Sequence, residues 1–250
     1  MTAPDETPLL RVTALHKHFG ALHVLRGLDL EVPRGEVTVV LGGSGTGKSV
    51  LMRQIASLDT PDSGSITFDG QELVGLGERE LLPFRRRMGM VFQGSALFDS
   101  LTVFENVAFP LRQHSDFGSA AIRERVMTLL TALEIAHAAK KLPSEISGGM
   151  QKRTAIARAL ALDTELIIYD EPTSGLDPVV SRAVDDLIRK TSEDFNVTSL
   201  VVSHDIQSVL RIAQRVAYLH EGRVLFWGPP ADMLKSPAPQ LTRYLEAAGM

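Results

Sequence analysis

The octapeptide Gly42-Gly43-Ser44-Gly45-Thr46-Gly47-Lys48-Ser49 constrains the fold of this chain more than any other stretch. It fits the G-x-x-x-x-G-K-[ST] pattern, which works only where a buried strand turns sharply into a helix. Both flanks comply. Val37-Thr38-Val39-Val40-Leu41 is an apolar run of strand length, and Ser49-Val50-Leu51-Met52-Arg53-Gln54-Ile55 reads as a helix. Glycines let backbone N–H groups turn inward on a polyphosphate, and the helix N-terminus adds partial positive charge. Lys48 can then reach the outer phosphates, and the Ser49 hydroxyl can ligate Mg²⁺. The candidate nucleotide-binding set is therefore Gly42, Gly43, Ser44, Gly45, Thr46, Gly47, Lys48, Ser49 and Val50. A glycine-rich turn that binds nothing would not need this strand-to-helix setting.

Further strands and helices alternate around that loop. Residues 9–41 show strand-like alternation, with Pro33-Arg34-Gly35 as a turn, and Ser65-Ile66-Thr67-Phe68 is a further short strand between turn residues. This predicts an antiparallel β flank. Residues 78–162 turn largely helical, with apolar spacing in Ile122–Leu130 and Ile156–Leu160, and read as a helical insertion. Leu166–Tyr169 and Ser199–Val202 are strand-like and separated by the helical Val180–Thr191, a βαβ pattern that demands a parallel sheet. A hairpin, Arg215–Leu219 turning at Glu221-Gly222 into Arg223–Trp227, precedes a tail that reads as a turn and a short helix. The expected fold is α/β: a P-loop NTPase core with a mainly parallel sheet, an antiparallel β subdomain and an inserted helical subdomain. One domain is expected over 1–250, divided as 9–77, 78–162, 163–228 and 229–250.

Composition narrows the function classes. With 250 residues, 44% hydrophobic, there is ample core for one α/β domain. A net charge of −4 argues against non-specific affinity for nucleic acid or anionic lipid, and no nucleic-acid partner is expected. The absence of cysteine excludes disulfides and thiolate metal sites. No stretch reaches the roughly 18 apolar residues of a membrane span, so a soluble chain is expected whose membrane role would come through a partner.

Two more clusters carry chemistry. Leu166-Ile167-Ile168-Tyr169-Asp170-Glu171 is a buried strand ending in two carboxylates, which places Asp170 near the metal and makes Glu171 the candidate general base for an attacking water. Ser147-Gly148-Gly149 opens a second helix with free N–H groups. Ser147 could be an ordinary N-cap. Alternatively, the second helix start completes the site of another copy, so that ATP is sandwiched across a two-fold interface.

In this order the motifs resemble those of the nucleotide-binding subunits of ATP-binding cassette transporters, over nearly the whole chain. Ile146-Ser147-Gly148-Gly149-Met150 matches the family signature, and Asp170-Glu171-Pro172-Thr173-Ser174-Gly175-Leu176-Asp177 matches its metal strand and D-loop. The resemblance implies that Phe19 stacks on adenine, that Gln93 senses metal and water, and that His204 contacts the γ-phosphate. The implied catalytic group is Glu171, His204, Lys48 and Gln93, the metal group Ser49, Gln93 and Asp170, and the cofactors ATP and Mg²⁺. Met150 stands where the signature usually ends in glutamine; the serine and glycine N–H groups remain, and the departure reads as a subfamily mark rather than a loss of activity.

The stretch from Gly94 to Leu111, with Ser147–Arg153, resembles more narrowly the ATPases of bacterial Mla-type, MCE-associated lipid transporters. That implies a homodimer, an integral membrane permease docked near 94–111, an MCE lipid-binding protein in the same complex, and a peripheral place on the cytoplasmic face of the bacterial inner membrane. Phe98, Leu101, Phe104 and Phe109 either form the docking cleft or fill the helical subdomain's core; a division between the two is expected. Alternatives are a polar amino-acid importer ATPase, a soluble cassette ATPase and a P-loop kinase, the last having no use for a serine-glycine signature.

Overall fold

The computed structural model describes residues 7–250. A hairpin of β1 (Leu10–Phe19) and β2 (Leu22–Val32) comes first, and β3 (Val37–Leu41) then runs into α1 (Lys48–Ile55). β4 (Ser63–Phe68) and β5 (Gln71–Glu72) return to the hairpin, giving an antiparallel sheet of order β2-β1-β4-β5. Next come α2 (Glu78–Arg86), β6 (Met88–Val91), α3 (Val103–His114), α4 (Ser119–Ala132) and α5 (Gly148–Ala159). The chain continues through β7 (Leu166–Asp170), α6 (Pro178–Phe195), β8 (Thr198–Ser203) and α7 (Ile206–Ile212). It ends with the hairpin β9 (Arg215–His220) and β10 (Arg223–Gly228), then α8 (Pro230–Met233) and α9 (Pro239–Ala247).

The second sheet has the order β10-β9-β3-β8-β7-β6, parallel throughout except where β10 pairs with β9. Its inner strands β3, β7, β8 and β9 are buried on both faces, which explains the continuous apolar runs at their centres. Val37, Val39, Leu41, Ile167, Tyr169 and Val201 face the helical layer with α3, α4, α5 and α6. Val40, Ile168, Leu200 and Val202 face α1 and the antiparallel sheet. The expected α/β fold with its parallel core and antiparallel flank is what the chain forms.

Two readings need correction. The block 78–162 is not helical throughout, because β6 lies within it as the edge strand of the parallel sheet, paired with β7. A Cβ at Gly89 would stand 2.8 Å from the Ala159 carbonyl oxygen, so the end of α5 packs directly on this strand's backbone. The tail is also more than a turn and one short helix. It forms α8 and α9, and α9 buries Leu241 and Leu245. No helix among the described residues is long and apolar enough to cross a membrane.

Candidate active site

Parallel strands end together, and the candidate residues collect where they end. Leu41 is in register with Ser203, and Asp170 with Val202, so the C-terminal ends of β3, β7 and β8 share one edge. The loop 42–47 leaves β3 there. Gly42 N–H donates to the Ser203 carbonyl (3.3 Å), and a Cβ at Gly42 would stand 2.5 Å from the Leu219 carbonyl oxygen, so glycine is required. Gly47 caps α1 at φ 104°, which also favours glycine. Thr46 Oγ1 donates to the Gly43 carbonyl (3.0 Å) and closes the loop on itself.

Lys48, the first residue of α1, is buried, and its Nζ donates to the carbonyls of Gly42 and Gly43, both at 2.8 Å. It also lies 3.6 Å from Glu171 Oε1. The other Glu171 oxygen meets His204 Nδ1 at 2.7 Å. Glu171 thus bridges the loop lysine and the histidine that follows β8. Its φ is 45°, a left-handed conformation unfavourable for a side chain of this kind, and its N–H donates to the Val202 carbonyl (2.9 Å). Beside it, the Asp170 carboxyl is raised above the ordinary value of 3.8 by burial and by repulsion from Glu171, with Lys48 opposing. This corner holds more negative charge than Lys48 offsets, which suits a hard cation.

Lys48, Glu171 and His204 line a cleft of about 650 Å³ with Gly43, Ser44, Gly45, Gly47, Ser49, Val50 and Gln93, while Gly42, Thr46 and Asp170 stand outside its lining. Val24, Ser174 and Tyr244 complete the lining; Ser174 falls within the D-loop match, and the sequence pointed to neither Val24 nor Tyr244. The Tyr244 hydroxyl donates to the His204 carbonyl (2.9 Å) across 40 residues of sequence, a contact for which no local pattern exists. Phe19 is 50% exposed at the end of β1 and stands outside this lining. Ser147, Gly148 and Gly149 are exposed at the start of α5 and are not brought to the cleft; Ser147 is an N-cap whose Oγ accepts from Met150 N–H (3.3 Å).

α5 nevertheless reaches the site from behind. Buried Lys152 donates to the carbonyls of Phe92 (3.4 Å) and Gln93, and Arg158 donates to those of Ala96 (2.7 Å) and Ser95 (3.1 Å). The segment carrying Gln93 is therefore tied to the helix that Ser147 opens. Among the aromatic residues after Gln93, Phe98 and Phe109 are exposed and pack on each other with ring centroids 4.8 Å apart. Phe104 packs against the helical core.

A lysine at a helix start, a glycine loop of inward N–H groups and a carboxylate poised beside them can bind a nucleotide's phosphates and take a proton from water. Fold and cleft define a P-loop nucleotide hydrolase. The profile of the ABC transporter family matches residues 25–174. Over 95% of its length the chain is 40% identical to the intermembrane phospholipid transport system ATP-binding protein MlaF of Haemophilus influenzae, covering 90% of that protein. It is 39% identical to MlaF of Escherichia coli K12, over 89% of this chain and 83% of that one. It is also 38% identical to the probable ribonucleotide transport ATP-binding protein mkl of Mycobacterium tuberculosis, over 94% and 66%. Among solved structures, cbiO1 of Clostridium perfringens matches with a TM-score of 0.86 at 30% identity over 96% of this chain and 100% of that one. The dimeric bacterial ABC transporter cassette MJ0796 matches with a TM-score of 0.78 at 32% identity, over 88% and 98%. The chain belongs to the ABC transporter family and is an ATP-binding, ATP-hydrolysing member of it.

Proposed function

We propose that this chain is the ATP-hydrolysing subunit of a bacterial transporter that moves phospholipids between the inner and outer membranes. The similarity to the two MlaF proteins, which runs over most of both chains, carries that reading. The subunit works as a homodimer on the cytoplasmic face of the inner membrane, docked on an integral membrane permease through residues near 94–111, with an MCE lipid-binding protein in the same complex. The exposed Phe98–Phe109 pair supports a docking surface there, and Phe104 serves the core instead.

In this reading each nucleotide lies between the Gly42–Ser49 loop of one subunit and Ser147–Gly149 of the other. The exposed start of α5, outside its own subunit's cleft, supports such sharing. Lys48 exchanges the Gly42 and Gly43 carbonyls for phosphate oxygens. Glu171 accepts the proton of the attacking water, His204 and Gln93 orient the reacting groups, and Phe19 stacks on the base. The Ser49 hydroxyl, the Asp170 carboxylate and the Gln93 amide are oxygen donors of the kind Mg²⁺ takes, and the charge excess at Asp170 and Glu171 favours a cation. Mg²⁺ held there would neutralise the phosphate charge. The γ-phosphate touches both subunits, so binding closes the pair and hydrolysis releases it.

Affinity purification of the tagged chain from detergent-solubilised membranes of its host, with mass spectrometry of co-purifying proteins and lipids, tests the assignment. Recovery of a permease, an MCE protein and bound phospholipid is expected. A periplasmic amino-acid-binding protein in their place would overturn it.

A further inference from the structure

His204 is a joint between two rigid elements. The strand β8 ends at Ser203, and Asp205 is already the N-cap of α7, its carboxylate accepting from Gln207 N–H (2.8 Å). The His204 side chain is 56% exposed and reaches Glu171 from a single residue of irregular backbone. The backbone at His204 sets the direction of its Cα–Cβ bond and hence which rotamers reach Glu171, so whatever fixes the His204 carbonyl restricts where the ring can go.

Tyr244 meets that carbonyl. Its hydroxyl donates to the His204 carbonyl oxygen at 2.9 Å, and its side chain lines the same cleft as His204, Glu171 and Lys48. The tyrosine is itself firmly held. Leu241 and Leu245 bury α9 in the core, and the Tyr244 ring packs on Tyr218, with centroids 5.3 Å apart. Tyr218 belongs to β9, in register with Leu41 at the end of the strand that feeds the phosphate loop. Burial, with further contributions from Tyr218, Glu171 and Asp205, pushes the Tyr244 hydroxyl up to about 12, so it stays a donor at any working pH.

We propose that Tyr244 is a positioning residue for the hydrolytic site: by holding the His204 carbonyl it orients the imidazole toward Glu171 and the outer phosphate, which makes α9 part of the catalytic apparatus. The inference rests on the reading of His204 as the phosphate-contacting histidine. Because the hydroxyl acts only through His204, it should affect turnover and not nucleotide affinity.

Steady-state ATPase kinetics of the full chain as Tyr244→Phe, His204→Ala and the double variant test this. Phenylalanine keeps the ring packing and removes one hydrogen bond, so kcat should fall about three- to tenfold, the scale of one such bond, with KM for ATP and the thermal midpoint little changed. The double variant should be no slower than His204→Ala alone. Wild-type kcat in Tyr244→Phe, or a double variant slower than His204→Ala by the full Tyr244→Phe factor, would overturn the proposal. Wild-type kcat in His204→Ala would instead remove the underlying role of His204, and the proposal with it. Where His204→Ala leaves no measurable rate, NMR of ¹⁵N-histidine-labelled protein decides. Tyr244→Phe should shift the ring signals of His204 while the other histidines hold still, and an unmoved His204 would refute the proposal.

Discussion

Asn106 offers the sharpest test of how the segment after Gln93 is held. It is fully buried in α3, and its amide nitrogen lies 3.1, 3.0 and 3.1 Å from the carbonyl oxygens of Phe98, Leu101 and Thr102. Its amide oxygen accepts from Phe98 N–H at 2.8 Å. Asp is nearly isosteric, but Asn106→Asp turns a donor facing three carbonyls into an acceptor. Two donated bonds at about 1 kcal/mol each, plus about 1–2 kcal/mol for carbonyls left unsatisfied, give a loss of about 3–4 kcal/mol. The new carboxylate is penalised by burial and by the carbonyls, so its folded pKa lies above the unfolded one. Between those two values the native state binds the additional proton, and the penalty is therefore smallest at low pH and largest once pH exceeds the folded pKa. Urea unfolding of variant and wild type at pH 5 and pH 8 measures the difference directly, since the wild type's own pH dependence cancels. The stability gap should be about 3–4 kcal/mol at pH 8 and should narrow at pH 5. A gap under about 1 kcal/mol at pH 8, or one that widens on acidification, would refute the reasoning.

Other outcomes follow from the same contacts. Glu171→Gln should keep ATP binding, lower turnover by about 10²–10⁴-fold, and yield an ATP-held dimer in gel filtration; normal hydrolysis without such a dimer would refute Glu171 as the base. Asp185 is fully buried, and burial pushes its carboxyl up to about 6 against the help of Ser208 and Arg211. The native state therefore gains a proton-linked stabilisation that is complete below the unfolded value near 3.8 and lost as pH rises through about 6. Asp185→Asn should flatten the stability profile across that window, as read by denaturant midpoints, and an unchanged profile would contradict the shift.

The sequence announced the parts whose chemistry is local. A phosphate loop is contiguous, and its strand and helix flanks are contiguous with it, so Val37–Leu41 and Lys48–Ile55 were legible. Leu166–Tyr169 and Leu200–Val202 were legible because strands buried on both faces carry continuous apolar runs. β6 was not. Met88-Gly89-Met90-Val91 is too short to show a period, and it follows directly on α2 with its Arg85 and Arg86. Its strand conformation comes from pairing with β7 and from the close approach of Ala159 to Gly89. Tyr244 and the carbonyl contacts of Lys152 and Arg158 were hidden for a related reason. Each partner lies 40 or more residues away, and a tyrosine, lysine or arginine on a helix announces nothing about the backbone it will meet.

If each hydrolytic site is built from two subunits, as proposed, mixing two inactive variants should restore activity. Lys48→Ala spoils the phosphate loop and spares Ser147; Ser147→Arg does the reverse. Random pairing of the two should leave one intact composite site in every mixed dimer, so an equimolar mixture should recover about a quarter of wild-type ATPase activity where each variant alone shows almost none. A mixture no more active than the average of its two components would contradict shared sites.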